Sequence, residues 1–528
     1  MMKLFPAAGR CLLVSATLTF GCALLRGQTI IRSFPGVSLN DTVTLGNVAS
    51  TPPDTMGAAG PNQFVEFING AFAIYSKTGV QQALIGDFTF WENAGISAST
   101  ISAGLTDTRV HYDVGSGRWF ASEITLDVVG AQVLLARSDT SDPGGTWQAV
   151  SFTSNTGTRS PDFDTLGVDS TGVYISINNF AESGNFTGVS FFSIPKADLV
   201  ASPPSLARMT RFDNLSADVY GFTLQGVNNP DPGPGHGVII AIDNVDFNFF
   251  DRTTIFGSGA AGATLSSTAR LSDTYDGAPN PAAQPSGLTV DAGDDRFSAA
   301  VRQVGNNIFM ANCVLQGAHD AVHWMVLKEP SNTLLGEGII SDGSHDFIYP
   351  SIAANHNGRI LLAFNRIGST SPDGDISIYA AVGSFTASSV TMGSPFLVQQ
   401  GTVSDYQLSF DSEPYRWGDY STTMVDPTDD NLFWTIQEIP AASSNWGTQI
   451  TLISLANNPP RLTITRSGAN LNLSWPASTD PAYVLQAAPQ VAPSTTWTNV
   501  PNPVNIVINQ NVVTVPEAAS TLYYRLQK

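Results

Sequence analysis

The chain has 528 residues, of which 44 are acidic and 24 are basic, so its formal net charge at pH 7 is −20. A surface with this net negative charge repels phosphate backbones and anionic membranes. We therefore expect neither nucleic-acid binding nor membrane insertion. Charged residues make up only 13% of the chain, which also contains 47 Gly and 32 Pro. This composition is typical of short strands joined by tight turns.

The first 27 residues have the pattern of a secretory signal peptide. Lys3 and Arg10 precede an apolar run at residues 11–25, which is too short for a membrane anchor. We expect cleavage after residue 27 and a secreted protein, whether extracellular, periplasmic or held at the cell surface. Two of the three cysteines lie in this segment. Cys313 then has no partner, so no internal disulfide is expected.

Seven stretches follow, each with a polar residue, a short apolar strand, a turn and a second apolar strand. Five of them are clear and lie at residues 107–113, 164–169, 295–301, 349–355 and 419–426. A sixth, at residues 54–60, shares their spacing, and a seventh, near residues 220–228, is degraded. A repeat of roughly 40–60 residues built from strands indicates radial repetition. The sequence therefore predicts an all-β fold with a seven-bladed β-propeller over residues 54–456, or six blades as the alternative.

The seventh repeat is short, because only residues 449–455 remain after its first two strands and before the break at residues 457–460. A propeller must close to remove the open edges of its sheets. We therefore expect the lead-in at residues 28–53 to supply a strand that completes the last blade. Beyond the break, residues 461–528 alternate between apolar and polar positions in short runs, which predicts a small β-sandwich.

In a four-stranded blade the innermost strand crosses from one face to the other and the second strand returns, so the start of the first and the end of the second share a face. These positions are polar or charged in every repeat, which predicts a mixed-charge pocket at the axis. The catalytic candidates are Asp107, Glu123, Asp419, Tyr420 and Glu438, and the ligand-binding candidates are Arg109, Arg296, Asn365, Arg366, Arg416 and Trp417. The opposite face is expected to carry hairpin turns, for example at residues 114–117.

Each candidate also has a structural interpretation. The repeated Asp residues could cap backbone N–H groups of the neighbouring blade. The arginines could bind a carboxylate or sugar hydroxyls, or could neutralise the acidic groups beside them. Trp417 could stack on a sugar ring or pack between blades. Asp373 and Asp375 could begin a Ca²⁺ loop, or could belong to a tight Pro-Asp-Gly turn. Calcium is the one cofactor that the sequence leaves open.

Residues 140–147 match the pattern Ser/Thr-x-Asp-x-Gly-x-x-Trp at Thr140, Asp142, Gly144 and Trp147. The chain thereby resembles the sialidase-like propellers, in which this Asp-box hairpin is structural, and other secreted bacterial propellers of unassigned activity. The tail, with residues 471–475 and 522–526, is similar to fibronectin-like accessory modules. The resemblance implies a carboxylate-binding set of arginines, an Asp acid/base and a Tyr nucleophile with a Glu helper. The Phe/Tyr-Arg-Ile-Pro segment of true sialidases is absent.

Two functions stay open at this point. The first is a secreted, monomeric, non-catalytic propeller that binds an extracellular glycan or surface polymer at its acidic rim, with the sandwich as an accessory module. The second is a sialidase-like glycoside hydrolase that uses the rim carboxylates and Tyr420.

Overall fold

A computed structural model describes residues 28–46, 50–127, 129–155, 157, 159–233, 236–275, 277–455, 462–476, 483–492, 495–507, 510–518 and 521–527. The predicted signal peptide lies outside the described residues. The described chain falls into two compact units, one on each side of the boundary between residues 456 and 457. Among the described residues no helix has the length and apolar character needed to cross a membrane.

The larger unit is a seven-bladed β-propeller. Its first elements are β1 (Thr29–Ser38) and α1 (Leu39–Thr44). Blade 1 contains β2 (Gly57–Ala59), β3 (Gln63–Ile68), β4 (Ala71–Ser76) and β5 (Gln81–Ile85), and α2 (Asp87–Asn93) follows it. Blade 2 contains β6 (Leu105–Asp113), β7 (Arg118–Thr125), β8 (Gln132–Ser138) and β9 (Trp147–Thr153). Blade 3 contains β10 (Arg159–Val168), β11 (Gly172–Ala181), β12 (Phe186–Pro195), α3 (Lys196–Val200) and β13 (Thr210–Leu215).

Blade 4 begins after α4 (Ala217–Tyr220) and contains β14 (Phe222–Gly226), β15 (His236–Ile242), β16 (Phe249–Phe256), β17 (Thr264–Leu265) and β18 (Ala269–Ser272). A separate hairpin follows, with strands β19 (Ala282–Ala283) and β20 (Thr289–Val290). Blade 5 contains β21 (Arg302–Val304), β22 (Asn307–Gln316), β23 (His319–Lys328) and β24 (Thr333–Ile340). Blade 6 contains β25 (Asp346–Ala354), β26 (Arg359–Ile367), β27 (Ser377–Phe385), β28 (Val390–Met392) and β29 (Phe396–Gln399). Blade 7 contains β30 (Thr422–Asp426), β31 (Asp429–Ala442) and β32 (Asn445–Ser454), together with β1.

Within each blade the strands are antiparallel, and the first three are hydrogen-bonded in sequence order from the inside outward. The first strands of most neighbouring blades contact one another, for example β2 with β6 and β25 with β30. Both faces of a middle strand are covered by adjacent blades, so a strand such as β26 is buried along almost its whole length. The arrangement brings the starts of all the inner strands to one end of the axis and their ends to the other.

Blade 7 takes its outer strand from the N-terminal end of the described chain. Strand β1 pairs antiparallel with β32, with Thr29 opposite Ser454. Hydrogen bonds also join blade 7 to Glu66 of blade 1. Val37 N–H donates to Glu66 Oε2 at 3.0 Å, and Thr448 Oγ1 also donates to Glu66. The first and last blades are therefore joined by hydrogen bonds, and the edge of β32 is covered.

One predicted inner strand is displaced. The sequence placed the first strand of a blade at residues 295–301, whereas the structure begins that strand, β21, at Arg302. The earlier residues are held by blade 4, since Gln225 Nε2 donates to Phe297 O at 2.6 Å and Asn228 N–H donates to Val301 O at 2.9 Å. They line a cavity instead of extending the sheet.

The smaller unit has two antiparallel sheets. One contains β33 (Thr463–Ser467), β34 (Asn470–Pro476), β37 (Asn505–Val507) and β38 (Gln510–Pro516), and the other contains β35 (Val484–Ala488), β36 (Thr498–Asn499) and β39 (Tyr523–Gln527). Its buried core includes Leu473, Trp475, Leu485, Val513 and Val515. Two sheets around one apolar core make the small β-sandwich that the alternating pattern predicts.

Candidate functional site

A cavity of about 270 Å³, hereafter the axial cavity, lies at the end of the propeller where the inner strands begin. Its polar lining consists of Asp162, Asp291, Asp294, Arg296, Ser298, Tyr349, Arg416 and Asp419. Three of these residues, Arg296, Arg416 and Asp419, were candidates from the sequence. The structure brings them together although they come from connections before blades 5 and 7.

Half of the axial cavity is built by two long connections between blades. Tyr415 N–H donates to Thr289 O at 3.0 Å, and Asp291 N–H donates to Tyr415 O at 2.8 Å. These bonds hold the segment after β20 against the segment before β30. Asp291 and Asp294 were not among the candidates from the sequence, because the repeat pattern does not extend to these connections and the pairing between them has no local signal.

Both guanidinium groups of the axial cavity are paired with carboxylates. Arg416 Nη2 donates to the two oxygens of Asp419 at 2.9 and 3.0 Å. Arg296 donates through Nε and Nη2 to Asp294 at 2.6 and 2.5 Å, and its guanidinium also lies over the ring of Phe163. With four carboxylates and two guanidinium groups, the lining of the cavity stays acidic.

Two of the cavity carboxyls titrate near neutrality. Burial and the charge of Asp107 raise the pKa of Asp162 to about 7, against the opposing effect of Arg296. Burial raises the pKa of Asp419 to about 6, although Arg416 and Arg296 favour its charged form. The hydroxyl of Tyr349 has no hydrogen-bond partner within the described part of the chain. The cavity thus offers acceptors, donors and one proton that is exchanged near pH 7.

The repeated Asp residues beside the axial cavity hold backbone groups. Asp419 N–H donates to Asp54 Oδ1 at 3.0 Å, and Phe163 N–H donates to Asp107 Oδ2. Asn69 connects the two carboxylates, since its amide donates to Asp54 and its carbonyl accepts Asp107 N–H. Asp107 is buried and does not line the cavity. For these residues the structural interpretation, capping between neighbouring blades, is the one that the geometry supports.

Three catalytic candidates are in positions that do not suit catalysis. Tyr420 is 1% exposed and donates its hydroxyl to Thr108 O at 2.9 Å, with the guanidinium of Arg109 stacked 3.4 Å from its ring centre. Glu123 is buried against Trp91 Nε1. Glu438 accepts Gly418 N–H at 2.8 Å. Burial raises the pKa of both glutamates well above the usual value, and none of the three lines the axial cavity.

Three ligand-binding candidates are also structural. Trp417 is fully buried, where its ring packs edge-on against Tyr406 and its Nε1 donates to Asn365 Oδ1 at 3.2 Å. It therefore has no face for a sugar ring. Asn365 in turn donates to Glu438 O at 2.9 Å. Arg109 is buried, donates from Nε to Asp164 O at 2.7 Å and does not reach the axial cavity.

The remaining candidates form a separate cluster of charges. Arg366 donates to Asp342 at 3.1 Å and to Asp373 at 3.0 Å, and His345 lies 3.1 Å from Asp373. Asp375 accepts a hydrogen bond from Ser371. Among the described residues no group of three or more His, Cys, Asp or Glu side chains is arranged to hold a metal ion. Asp373 is engaged by two basic side chains, so the calcium hypothesis has no support from its geometry.

Residues 140–147 form the hairpin between β8 and β9. Asp142 Oδ1 accepts Gly144 N–H at 3.0 Å, and Trp147 Nε1 donates to Pro143 O at 2.9 Å. The carboxylate and the indole thus stabilise the turn itself. Neither side chain lines the axial cavity.

No protein-family model and no curated protein matches the sequence. Among solved structures, similar ones include a sialidase of Trypanosoma rangeli (11% identity, 80% of this chain and 84% of that chain, TM-score 0.32). An α-L-arabinofuranosidase of Fusarium graminearum (10% identity, 77% and 95%, TM-score 0.36) and a Drosophila semaphorin 1b (6% identity, 81% and 87%, TM-score 0.38) are also similar. These scores are too low to carry an argument about function.

Proposed function

We propose that the protein is a secreted propeller that binds a neutral glycan unit in the axial cavity. The observation behind this proposal is the pairing of both cavity arginines with Asp294 and Asp419. A sugar carboxylate would have to displace one of these partners and would face the other acidic groups of the lining. Neutral hydroxyls avoid that cost, because they can donate to carboxylate oxygens and accept from guanidinium N–H groups.

The size of the cavity favours one sugar unit. About 270 Å³ is slightly below the range of roughly 300–1,000 Å³ that is usual for drug-sized ligands. The hydroxyl of Tyr349, which has no partner among the described residues, adds a further donor or acceptor inside the cavity. A terminal residue of a longer chain could enter while the rest stays in solvent.

The test is a glycan array followed by calorimetry on the full chain and three variants. Asp419→Asn and Arg416→Gln each break the pair inside the axial cavity. Asp246→Asn is the matched control, since it removes one carboxylate from a surface ion pair with Arg270 outside the cavity. We expect the two cavity variants to weaken glycan binding about tenfold or more and the control to bind normally. Equal affinity in all four proteins would disprove the proposal.

Glycoside hydrolysis is a second candidate, favoured by the pKa values of about 7 for Asp162 and about 6 for Asp419. An acid that is half protonated at neutral pH and a base that is mostly ionised are the groups that this reaction needs. Turnover of chromogenic glycosides should then peak between about pH 6 and pH 7 and disappear in Asp162→Asn. Binding without turnover in the same screen supports the first function.

Secretion, the monomeric state and an accessory role for the sandwich belong to the same proposal. The support for secretion is the charge and apolar pattern of the first 27 residues. N-terminal sequencing of protein recovered from the medium or periplasm tests it. A mature chain that still begins at Met1 would contradict secretion by cleavage.

A further inference from the structure

A second cavity, larger than the axial one, lies at the opposite end of the propeller. Its volume is about 450 Å³, and it is lined where inner strands end, by residues such as Asp113, Val304 and Ala354. The sequence predicted only hairpin turns on this face. We refer to it as the distal cavity.

The inner end of the distal cavity is formed by His111 and Arg302. Both residues also line a very small void deeper along the axis, together with Met56 and Thr422 from the inner strands of blades 1 and 7. Residues shared by the two spaces lie between them. Arg302 is therefore at the base of the distal cavity, and the charged residues of the connecting turns surround its mouth.

Arg302 has no carboxylate partner. Among the described residues its side chain makes no hydrogen bond or ion pair, and Nε is buried without an acceptor. Burial alone lowers the pKa of Arg302 to about 10, so the group is still charged at pH 7. Arg302 is only partly exposed, and withdrawing a charge from water without giving it an acidic partner is costly.

Of the five aspartates that line the distal cavity, three lie, by contrast, within 3.0 Å of a basic side chain. Asp113 binds Lys196 at 3.0 Å, and Asp426 binds Lys77 at 2.7 Å. Asp231 binds His356 at 2.7 Å. Asp430 lies 3.7 Å from the same histidine and Asp429 accepts from Asn431 N–H, so none of the five aspartates engages Arg302. The electrostatics at the base of the cavity therefore favour one negative charge.

His111 adds a neutral polar group beside this cation. Burial and the charge of Arg302 lower the pKa of His111 to about 3, so the imidazole is uncharged at neutral pH. A neutral imidazole can donate one hydrogen bond to an anion. The walls above combine apolar residues, among them Ala59, Val304, Ala354, Val425 and Pro427, with the aspartates of the surrounding turns.

We propose that the distal cavity binds a small monocarboxylate with an apolar body, its carboxylate on Arg302 and its body against the apolar walls. A single guanidinium balances one charge and matches a carboxylate through two parallel hydrogen bonds. A phosphate dianion would carry excess charge toward Asp113, Asp231 and Asp426. This site is separate from the axial cavity, and the proposal does not depend on the glycan hypothesis.

The experiment compares four probes on the full chain by calorimetry: hexanoate, hexanamide, hexylammonium and inorganic phosphate. The first three share an apolar body and differ in the charge of the head. We expect hexanoate to bind in the low millimolar range or tighter, and the other three to bind at least about tenfold more weakly. Equal binding of hexanoate and hexanamide, preference for hexylammonium or phosphate, or no binding of hexanoate would each overturn the proposal.

Two variants locate the site. Arg302→Gln removes the charge, and Arg359→Gln is the matched control. Arg359 also has buried guanidinium nitrogens without partners and a pKa lowered by burial, but it lines neither the distal cavity nor the small void beneath it. Hexanoate should lose at least about tenfold in affinity for the first variant and none for the second. The ligand-free Tm of Arg302→Gln should also rise, since an unpaired charge is removed. Unchanged hexanoate affinity in this variant would overturn the assignment; if it does not fold, Arg302→Met takes its place.

Discussion

Deletion of residues 29–38 removes the outer strand of blade 7 and should unfold the propeller as a whole. The strand β1 covers the edge of β32 and helps to connect blade 7 to blade 1, because its Val37 N–H donates to Glu66 beside Thr448 of β32. Without it, the last sheet would present unpaired N–H and C=O groups to solvent. The carboxyl of Glu66 would lose the backbone donor of Val37 in the same step.

The magnitude follows from the buried groups that the deletion exposes or removes. Phe34 packs against Tyr75 and Trp434, and Val37 is 1% exposed. Burial of two such side chains stabilises the fold by about 3–6 kcal/mol. The lost hydrogen bond to a buried carboxyl adds about 1–3 kcal/mol. A loss of about 4–9 kcal/mol is a large share of the roughly 5–15 kcal/mol that stabilises a typical domain.

Calorimetric unfolding of the full chain, the deletion and two single variants provides the assay. Phe34→Ala should cost about 3–5 kcal/mol. Ile31→Ala in the same strand should cost about 0.5 kcal/mol, because Ile31 is 49% exposed. The propeller transition should be missing or shifted far downward in the deletion. A deletion that melts with the Tm and enthalpy of the full chain would refute closure by the N-terminal strand.

Three further predictions concern buried and charged side chains. Burial raises the pKa of Glu66 to about 7, so its protonated form contributes stability that is full below about pH 4.5 and is lost as the pH rises through 7. The unfolding free energy of the full chain should therefore fall between pH 4.5 and pH 8, and in denaturant titrations Glu66→Gln should make that fall smaller by up to about 3 kcal/mol. Tyr420→Phe should cost about 0.5–1.5 kcal/mol through the lost bond to Thr108, and should leave any glycan binding or turnover unchanged; loss of turnover in this variant would restore the nucleophile hypothesis. Treatment with EDTA should leave the Tm unchanged, because Arg366 and His345 already engage Asp373; a lower Tm that calcium restores would contradict this prediction.

The blades could be predicted because each is encoded locally. Alternation of apolar runs and turn residues indicates where the strands lie. The polar residue that recurs at the head of each repeat indicates where each innermost strand begins. Asp54, Asp107 and Tyr349 lie near the starts of inner strands, and their φ angles are positive, at 53°, 64° and 49° respectively. The displaced strand of blade 5 shows the limit, since its residues 295–301 are held by hydrogen bonds from the neighbouring blade.

The axial cavity could be predicted only in part. The rim position follows from the direction of the inner strands, and Arg296, Arg416 and Asp419 do line the cavity. The arginines pair with Asp294 and Asp419, which are only two and three residues away along the chain. The contribution of Asp291 depends instead on a contact between two connections that are far apart in the chain, and no periodicity of the sequence indicates that contact.

Strand periodicity and turn chemistry act over a few residues, so the sequence alone predicts strands in seven similar units with polar groups at one end. Which of these polar groups face a cavity depends on how the blades pack. Asp419 lines the axial cavity, whereas its chain neighbours do not: the ring of Tyr420 is buried, and Gly418 N–H is held by Glu438. A bend before β30 places Asp419 toward the cavity and the ring of Tyr420 in the core, and the packing of adjacent blades sets which of the two is buried.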